Sequence, residues 1–475
     1  MMKALKECRR AAHALDVDSV HDLRVALRRS RTIAKGLSAI DPDKLLRTVN
    51  KESRKVFRSL GKLRDVQVTV EWVQQLAPES DTLKARILQV LAKEEDAAKT
   101  EAAAALSQFD TRRWRRWAHS LAKPSAQIPR DSPVFEHLAL QRWLEARDAH
   151  HHAVHTRSRV AWHRVRIALK RFRYTVENFL PQRYAEWSDG LKLVQDLLGA
   201  VHDLDVLRER LGKLVTESDA EAEARWLELI DAARSEKLAQ YRAKTTGKNS
   251  LWSIWRAGLP DGEALEDAAL QSLTTWASFL DPDFEHSRRV AALALQLYDA
   301  FRDANLHRAF CDPRCRRILE AAALLHDVGR AKRVSGHHKV SYRMIRRRQP
   351  PIGWTADDML LTGLVARYHR GAPPKPQQKT YSTLLPEERD AVNWLAATLR
   401  FADGLDGEHS GRVARIAVEA THPALMIRAE GYVHDMESAA ALAKKKHLLE
   451  TLCRMPVIVR PAEEEQTRAI ASLAS

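Results

Sequence analysis

The feature that most constrains this chain is a row of basic side chains that occurs twice at the same spacing. Residues 20–31 (VHDLRVALRRSR) return as residues 163–173 (HRVRIALKRFR). Each row is a histidine followed by cations 3, 7 and 10 positions later: His21, Arg24, Arg28 and Arg31, then His163, Arg166, Lys170 and Arg173. On an α-helix these positions lie within an arc of about 80°. Each copy therefore predicts an amphipathic helix with a cationic stripe.

The charge distribution indicates a polyanionic partner. No carboxylate belongs to either row, and an uninterrupted row of cations suits a polyanion better than a single anion. The net charge is +16, and residues 1–250, with 47 basic and 34 acidic side chains, carry +13 of it. The apolar residues at helical spacing between the cations predict a buried face: Leu23, Leu27, Ile167 and Phe172.

The duplication extends beyond the two rows. Residues 60–68 (LGKLRDVQV) are matched by residues 198–206 (LGAVHDLDV), at an offset of about 140 residues that predicts a duplicated helical bundle. The proline-containing residues 122–133 are the predicted seam. A signal-peptide core, a membrane span and a disulfide framework are not expected from the apolar runs and the four cysteines, which favours the cytoplasm.

Together, the paired motifs resemble the CHAD family, the conserved-histidine α-helical domain, over roughly residues 1–244. The resemblance implies two pseudo-symmetric four-helix bundles that flank a basic cavity. It also implies that inorganic polyphosphate binds to the residues of the two rows. Further basic residues on the following helices are assigned with them: Arg54, Lys55, Arg58, Lys62, Arg64 and Lys192.

Two other interpretations of these cations stay open. Most charge runs form a solvated surface, although the identical spacing of the two rows argues against it here. Nucleic acid is the stronger rival, because phosphate contacts carry no sequence information. Residues 112–117 (RRWRRW) would suit single strands, whose bases stack on aromatic rings, but this pattern is more typical of a helix core under snorkelling arginines. His21 and His163 lack acidic residues at metal-ligand spacing, so we interpret them as phosphate donors or structural residues rather than as metal ligands.

A different set of residues appears after residues 244–263, where Gly, Pro, Ser and Asn collect and predict a domain boundary. Histidines and aspartates then follow apolar helical segments, among them a His-Asp dipeptide and a late aspartate. Imidazole nitrogens and carboxylate oxygens together suit divalent metal ions. The candidates are His286, His326, Asp327, His338, His369 and Asp403.

This order resembles the HD superfamily of metal-dependent phosphohydrolases, whose four metal ligands correspond to His286, His326, Asp327 and Asp403. The motifs ALLHDVG, HHKVSYRMI, VARYHRG and LRFADGLD resemble the C-terminal helical region of the exopolyphosphatase/guanosine pentaphosphate phosphohydrolase family. The resemblance implies catalytic roles for Asp327, His338 and His369, the two histidines as ligands of a second ion or as phosphate contacts. Cations beside these motifs would neutralise phosphate charge: Arg330, Lys332, Lys339, Arg367 and Arg370.

Two departures from that family matter. Val340 stands where the family shows the second histidine of HKHS, which leaves His338 as the better candidate. The glycine-rich phosphate loop of the family's actin-like ATPase domain does not precede this region, so any catalysis is expected to fall to the HD-type site. Near the end of the chain, RVARIAVEA, ALMIRAE and MPVIVRP alternate apolar and polar residues and predict a small β appendage.

The prediction is a mainly α, cytoplasmic protein of two domains. The CHAD-like domain spans residues 1–245, with repeats at about 1–125 and 130–245. A linker (246–263) follows, and then an all-helical HD-like domain with the β appendage (264–475). One predicted function is a polyphosphate-binding phosphohydrolase with a divalent ion (Mn, Mg, Fe or Zn), acting on polyphosphate or nucleotide polyphosphates. The alternative is a non-catalytic protein that binds polyphosphate, on granules or as a sensor.

Overall fold

The structure, a computed structural model, describes residues 1–38, 40–41, 43–121, 128–214, 220–421, 423–433 and 436–462. It forms two compact units, Met1–Ala268 and Ala269–Ser475. Helices dominate, and a three-stranded sheet lies near the C-terminal end, so the predicted mainly α fold with a small β appendage is confirmed. No helix within the described ranges is long and apolar enough to cross a membrane.

The first unit is built from helices that begin at the caps the sequence provides. Side chains such as Asp16, Asp81 and Ser158 accept a hydrogen bond from a backbone N–H of the first helical turn. The helices are α1 (Met2–His13), α2 (Val17–Leu37), α3 (Lys44–Glu52), α4 (Arg54–Leu76), α5 (Thr82–Ser107), α6 (Thr111–Ser120), α7 (Pro133–Thr156), α8 (Arg159–Phe179), α9 (Pro181–Leu214), α10 (Ala220–Thr245), α11 (Leu251–Ala257) and α12 (Gly262–Ser278), the last of which runs into the second unit.

The duplication is visible in the helix packing. Helices α1, α2, α4 and α5 correspond in order to α7, α8, α9 and α10, and the two central pairs meet across the halves: α2 packs on α8, and α4 packs on α9. The first half breaks at Ser53, between α3 and α4, where the second half has the single helix α9. The predicted seam, residues 122–133, lies partly outside the described residues.

The apolar faces are mostly where the sequence predicts them. Leu23, Leu27 and Phe172 are buried, but Ile167 is 38% exposed. Position 167 follows Arg166 directly, so it lies about 100° away from that stripe residue on the helix and toward solvent. One core extends across both halves, with Val66, Val73 and Leu91 packed together with residues of the second half: Leu204, Leu211, Trp226 and Ile230.

The second unit has a helical core covered by the sheet. Its helices are α13 (Phe284–Asp303), α14 (Pro313–Leu325), α15 (His337–Arg347), α16 (Ala356–Tyr368), α17 (Lys379–Ser382), α18 (Pro386–Leu405) and α19 (Met436–Cys453). Helices α13, α14, α16 and α18 pack against one another. In the sheet, β1 (Ile416–Thr421) is antiparallel to β2 (Ala424–Ala429), and β2 is parallel to β3 (Val457–Pro461), with α19 as the crossover.

The predicted linker, residues 246–263, contains a helix rather than only irregular chain. Trp252 and Trp255 of α11 are each 1% exposed. The Trp255 ring packs on Phe172 of α8, with 5.5 Å between the ring centroids, and Trp252 packs on Trp143 of α7. The boundary between the compact units falls at Ala268, after this helix.

We expect Trp255→Ala to lower the free energy of unfolding of the first unit by about 3–5 kcal/mol, because it removes a fully buried aromatic side chain. Urea unfolding, followed by far-ultraviolet circular dichroism rather than by tryptophan fluorescence, measures the change. The control is Ile254→Ala on the same helix, where the side chain is 48% exposed and the effect should stay within about 0.5 kcal/mol. Equal losses in the two variants would contradict the packing of α11.

Candidate functional site

The two predicted cationic rows lie on α2 and α8, which pack against each other. Four of their guanidinium nitrogens are buried and have no hydrogen-bond partner among the described residues: Arg24 Nη1, Arg28 Nε, Arg166 Nε and Arg173 Nε. Leaving a buried donor unsatisfied costs about 1–3 kcal/mol, and more when the group is charged. The rows therefore present donors, two from each half, that an anion would satisfy.

Aromatic rings hold the cations in place. The Arg24 and Arg31 guanidinium groups lie 5.3 and 5.0 Å from the centroid of Phe57, and Arg28 lies 5.0 Å from that of Tyr174. The ring faces attract the guanidinium groups without neutralising their charge. Gly61 leaves the space for this arrangement, because a Cβ there would lie 2.9 Å from Arg24 Nη1. The cations are thus oriented while their charge remains available.

A cavity of about 320 Å³ opens between α4, α8 and α9, and its lining includes Lys170, Arg64 and Asp203. Burial raises the pKa of Asp203 to about 6, although Arg166 and Lys170 oppose the shift. Burial also raises the pKa of Asp65, the counterpart of Asp203 on α4. Neither carboxylate was among the residues predicted from the sequence, although the second repeated motif places an aspartate at the same position in both copies, in LRD and in VHD.

The remaining predicted residues of the first unit lie nearer the surface. His21 is exposed, whereas His163 Nδ1 lies 3.2 Å from His202 Nδ1. Burial and Arg166 lower the pKa of His202 to about 3, so that imidazole stays neutral. Four basic residues of α4 and α9 are exposed: Arg54, Lys55, Arg58 and Lys192.

Two further predicted cations, and a tryptophan of the RRWRRW motif, already have partners within the protein. Lys62 pairs with Glu101 at 2.8 Å, and Arg64 pairs with Glu71 at 3.0 Å. In RRWRRW, Trp114 is buried and donates its indole N–H to the Met1 carbonyl oxygen at 3.2 Å. That burial favours the helix-core interpretation of this motif.

In the second unit, helix ends place the candidate metal ligands. His326 and His369 are the residues at which α14 and α16 end, and His337 is the first residue of α15. Each of the three donates its Nδ1–H to a backbone carbonyl three residues earlier, at 2.6 Å for His326, 2.7 Å for His369 and 2.8 Å for His337. This hydrogen bond fixes the tautomer and leaves Nε2 as the free acceptor, as in metal-ligating histidines.

The three Nε2 atoms converge on one carboxylate oxygen. Asp327 Oδ1 lies 2.9 Å from His337 Nε2, 3.8 Å from His326 Nε2 and 4.0 Å from His369 Nε2. Its other oxygen, Oδ2, accepts a hydrogen bond from Arg330 at 2.9 Å. His326 Nε2 is buried and has no hydrogen-bond partner within the described ranges. The hydrogen bond with Asp327 raises the pKa of His337, which favours a proton between these two residues. The Nε2 atoms of His326 and His369, at longer distances, keep lone pairs that a cation would satisfy.

A second group surrounds His286 at the start of α13. Its Nε2 lies 3.3 Å from Asp403 Oδ1, and its Nδ1 donates to Asp406 Oδ2 at 2.8 Å. Asp406 is held in turn by Arg289 Nε at 3.0 Å. The Lys445 amine contacts Asp403 Oδ2. Two overlapping sets therefore offer ligand atoms within 4.8 Å of one another: His286, His326 and Asp403, and His326, Asp327 and His369.

The protonation states suit a cation beside Asp327 and His369, whereas His286 is favoured in its charged form. Burial would raise the pKa of Asp327, but His337, His326 and His369 lower it below its usual range. Burial lowers the pKa of His369, so its imidazole stays neutral. Burial would also lower the pKa of His286, yet hydrogen bonds with Asp403 and Asp406 raise it to about 9.

The residues present fit a divalent metal ion, on the evidence of the orphaned His326 Nε2 and of an N/O donor set with fixed tautomers. The structure brings together all four predicted ligands, and His369 with them. It also places His337, the first residue of α15, beside Asp327. His338, predicted as a ligand of a second ion or a phosphate contact, is half-buried, and its Nδ1 has no hydrogen-bond partner among the described residues.

The predicted phosphate-neutralising cations differ in placement. Arg330 is bound to Asp327, and the Arg367 guanidinium lies 5.3 Å from the ring centroid of Tyr342. The other three are exposed: Lys332, Lys339 and Arg370. Sequence analysis missed His337, Asp406 and Lys445; for Asp406, the helical spacing of three from Asp403 was an available signal.

The glycine of the HDVG motif is required by close packing. A Cβ on Gly329 would lie 2.4 Å from the His337 carbonyl oxygen and 2.6 Å from Ser341 N, both backbone atoms of α15.

We expect Gly329→Ala to lower the free energy of unfolding by about 1–3 kcal/mol and to weaken metal binding, because α15 must shift. Urea unfolding and metal titration measure the two effects. Gly363→Ala is the control, since its nearest neighbour is a ring atom of Tyr342 at 3.2 Å. An unchanged Gly329→Ala variant would contradict this account.

Polyanion binding in the first unit is expected to take up protons near neutral pH. Burial, Arg166 and Arg28 lower the pKa of Lys170 to about 7, with Asp203 opposing them. A bound polyanion favours the charged amine and raises that pKa, so affinity should increase as the pH falls from about 8.5 to 6.

Calorimetry with polyphosphate at neutral pH, in two buffers of different ionisation enthalpy, measures this uptake. Lys170→Arg is the matched variant: its side chain stays charged throughout this range, so the uptake should shrink. The protonation of Asp203 acts in the same direction at lower pH, since its pKa is about 6. Equal uptake at neutral pH in both proteins would exclude Lys170 as its source.

One known family model matches a range of residues in each of the two compact units. Residues 2–212 match the family model of the CHAD domain, and residues 270–450 match that of the Ppx/GppA phosphatase, domain III. The first match includes both cationic rows, and the second includes every candidate metal ligand. Residues 2–212 are thus similar to the CHAD domain, and residues 270–450 are similar to domain III of the Ppx/GppA phosphatases.

Proposed function

We propose that this chain is a polyphosphate-binding phosphohydrolase. The first unit binds inorganic polyphosphate along its two rows of cations, and the second unit hydrolyses a phosphoanhydride at an HD-type metal site. The family matches support a polyphosphate ligand and a phosphatase-type region. The observation that carries the catalytic part is the convergence of three Nε2 atoms, with fixed tautomers, on Asp327 Oδ1.

His286, His326, Asp327, His369 and Asp403 would hold one or two divalent ions of the Mn, Mg, Fe or Zn class. When bound, such an ion polarises a phosphoryl oxygen and activates water at neutral pH. The ionised Asp327 and the neutral His369 keep their lone pairs free, and Arg330 orients the carboxylate through Oδ2.

Other side chains of the site would handle the substrate rather than the ion. Arg367 and the exposed Lys332 and Arg370 would neutralise phosphate charge, and His338 would contact a phosphate oxygen. Because both units belong to one chain, a polymer held by the first is kept at a high effective concentration for the second.

The test is phosphate release from long-chain polyphosphate and from a guanosine polyphosphate by metal-loaded protein. We expect His326→Ala/Asp327→Ala to lose at least about 100-fold in rate and to lose bound metal, since it removes two candidate ligands, one of which, His326, belongs to both sets. His307→Ala is the matched control: this histidine of the same unit pairs with Asp390 and stacks on Trp394. Stoichiometric metal without release from either substrate would refute the hydrolase.

A second candidate is a polyphosphate-binding protein without catalysis, which the Lys445–Asp403 contact favours. The amine already neutralises one oxygen of a predicted ligand, and the raised pKa of His286 allows that imidazole to be protonated. Such a site would be held together by hydrogen bonds alone. Equilibrium dialysis without metal uptake, together with tight polyphosphate binding by His326→Ala/Asp327→Ala, would favour this function.

A further inference from the structure

A second row of cations lies on the surface of α3 and α4. It consists of residues spaced 3, 4, 3 and 4 apart, which we call the outer row: Lys44, Arg47, Lys51, Arg54 and Arg58. All five side chains are exposed, and none has a carboxylate partner in the described part of the chain. Ser53, between the two helices, keeps right-handed helical dihedral angles, so the row continues across the break. Along a helix it would extend about 20 Å.

The row on α2 ends against the middle of the outer row. Arg31, the last cation of that inner row, donates from Nη1 to the Asn50 carbonyl oxygen at 3.1 Å and to Ser53 Oγ at 3.3 Å. These acceptors lie at the junction of α3 and α4, next in sequence to Lys51 and Arg54. The charges of Arg54 and Arg58 add to burial in lowering the pKa of Arg31, which places them nearby. The cations therefore form one path from the inner row to the surface.

The duplication supplies an internal comparison. At the offset of 138 residues that aligns the second motif, the outer row corresponds to positions of α9 with one cation and two carboxylates: Gln182, Ala185, Asp189, Lys192 and Asp196. The inner row of that half also ends beside an acid, since Arg173 Nε lies 3.9 Å from Glu177 Oε2. A generic solvated helix face would not explain why only one half carries the row at the equivalent positions.

We propose that the outer row holds the part of a long polyphosphate chain that extends beyond the inner rows, over the first half of the unit only. This inference rests on the proposed binding of polyphosphate by the inner rows. Single exposed ion pairs are weak, but a polymer with a charge on every unit meets all five cations at once and releases counterions at each contact. Affinity for the polymer therefore depends on its chain length.

The experiment measures the affinities of the full chain for long-chain polyphosphate and for tripolyphosphate across salt concentrations. The variant is Lys44→Gln/Arg47→Gln/Lys51→Gln, three exposed members of the outer row. We expect its affinity for the long chain to fall on the order of tenfold, and the slope of log affinity against log salt to fall by about 0.7 per contact. The affinity for tripolyphosphate should not change, because the inner rows are intact.

The charge-matched control is Arg242→Gln/Lys244→Gln/Lys248→Gln, which removes three exposed cations from the end of α10 and the turn after it. A converse variant, Asp189→Lys/Asp196→Lys, builds the missing row on the second half and should strengthen long-chain binding. Circular dichroism checks that each variant is folded.

Three outcomes would overturn the proposal. They are equal long-chain affinity in the outer-row variant and the control, an equal loss for both chain lengths, and a loss of single-stranded DNA binding while polyphosphate binding is kept. The last would assign the row to nucleic acid. Arg24→Gln/Arg166→Gln separates this inference from the proposed function: if that variant binds both polyphosphates as the parent does, the inner rows are not the site.

Discussion

Both units depend on one constraint: groups that repel each other are kept close together by rigid helices. Cations of α2 and α8 face one another in the first unit, and the imidazole lone pairs of His326 and His369 face a carboxylate oxygen in the second. Neither arrangement is stable by itself, because desolvated like charges and unsatisfied polar atoms cost free energy. Burial of apolar side chains, such as Val66 and Trp226 across the two halves, offsets that cost. The stored repulsion is what a ligand of opposite charge relieves.

The first unit compensates for its charge only in part. Aromatic faces orient the arginines and leave their charge intact, whereas Asp65 and Asp203 neutralise some of it. Full pairing with carboxylates would have stabilised the fold and removed the affinity for an anion. The raised pKa of each aspartate means that the negative charge of these side chains decreases as the pH falls. The cations of the cavity are therefore neutralised only in part, by groups that a bound anion can replace.

The sequence was sufficient for the class of fold, the duplication and the sheet, because helical spacing and alternation are local properties. It also identified His326 and His369, two of the three histidines that meet at Asp327, through motifs at helix ends. Contacts between distant segments were beyond it: Lys445 reaches Asp403 from α19, and His337, at the start of α15, contacts Asp327. Asp65 and Asp203 were missed for a different reason, since their effect depends on which helices surround them. The connection between the inner and outer rows likewise could not be predicted, because it depends on the contact of Arg31 with Ser53.

The duplication and its divergence together explain why the two halves of the first unit are not equivalent. The row on α2 has arginine at all three cationic positions, and arginine stays charged at any physiological pH. The row on α8 has Lys170 at the middle position, next to Asp203, and this amine can lose its proton near neutral pH. The half with permanent charge is also the half with the outer row. The first half therefore supplies constant, extended attraction for a polymer, and the second supplies an attraction that varies with pH.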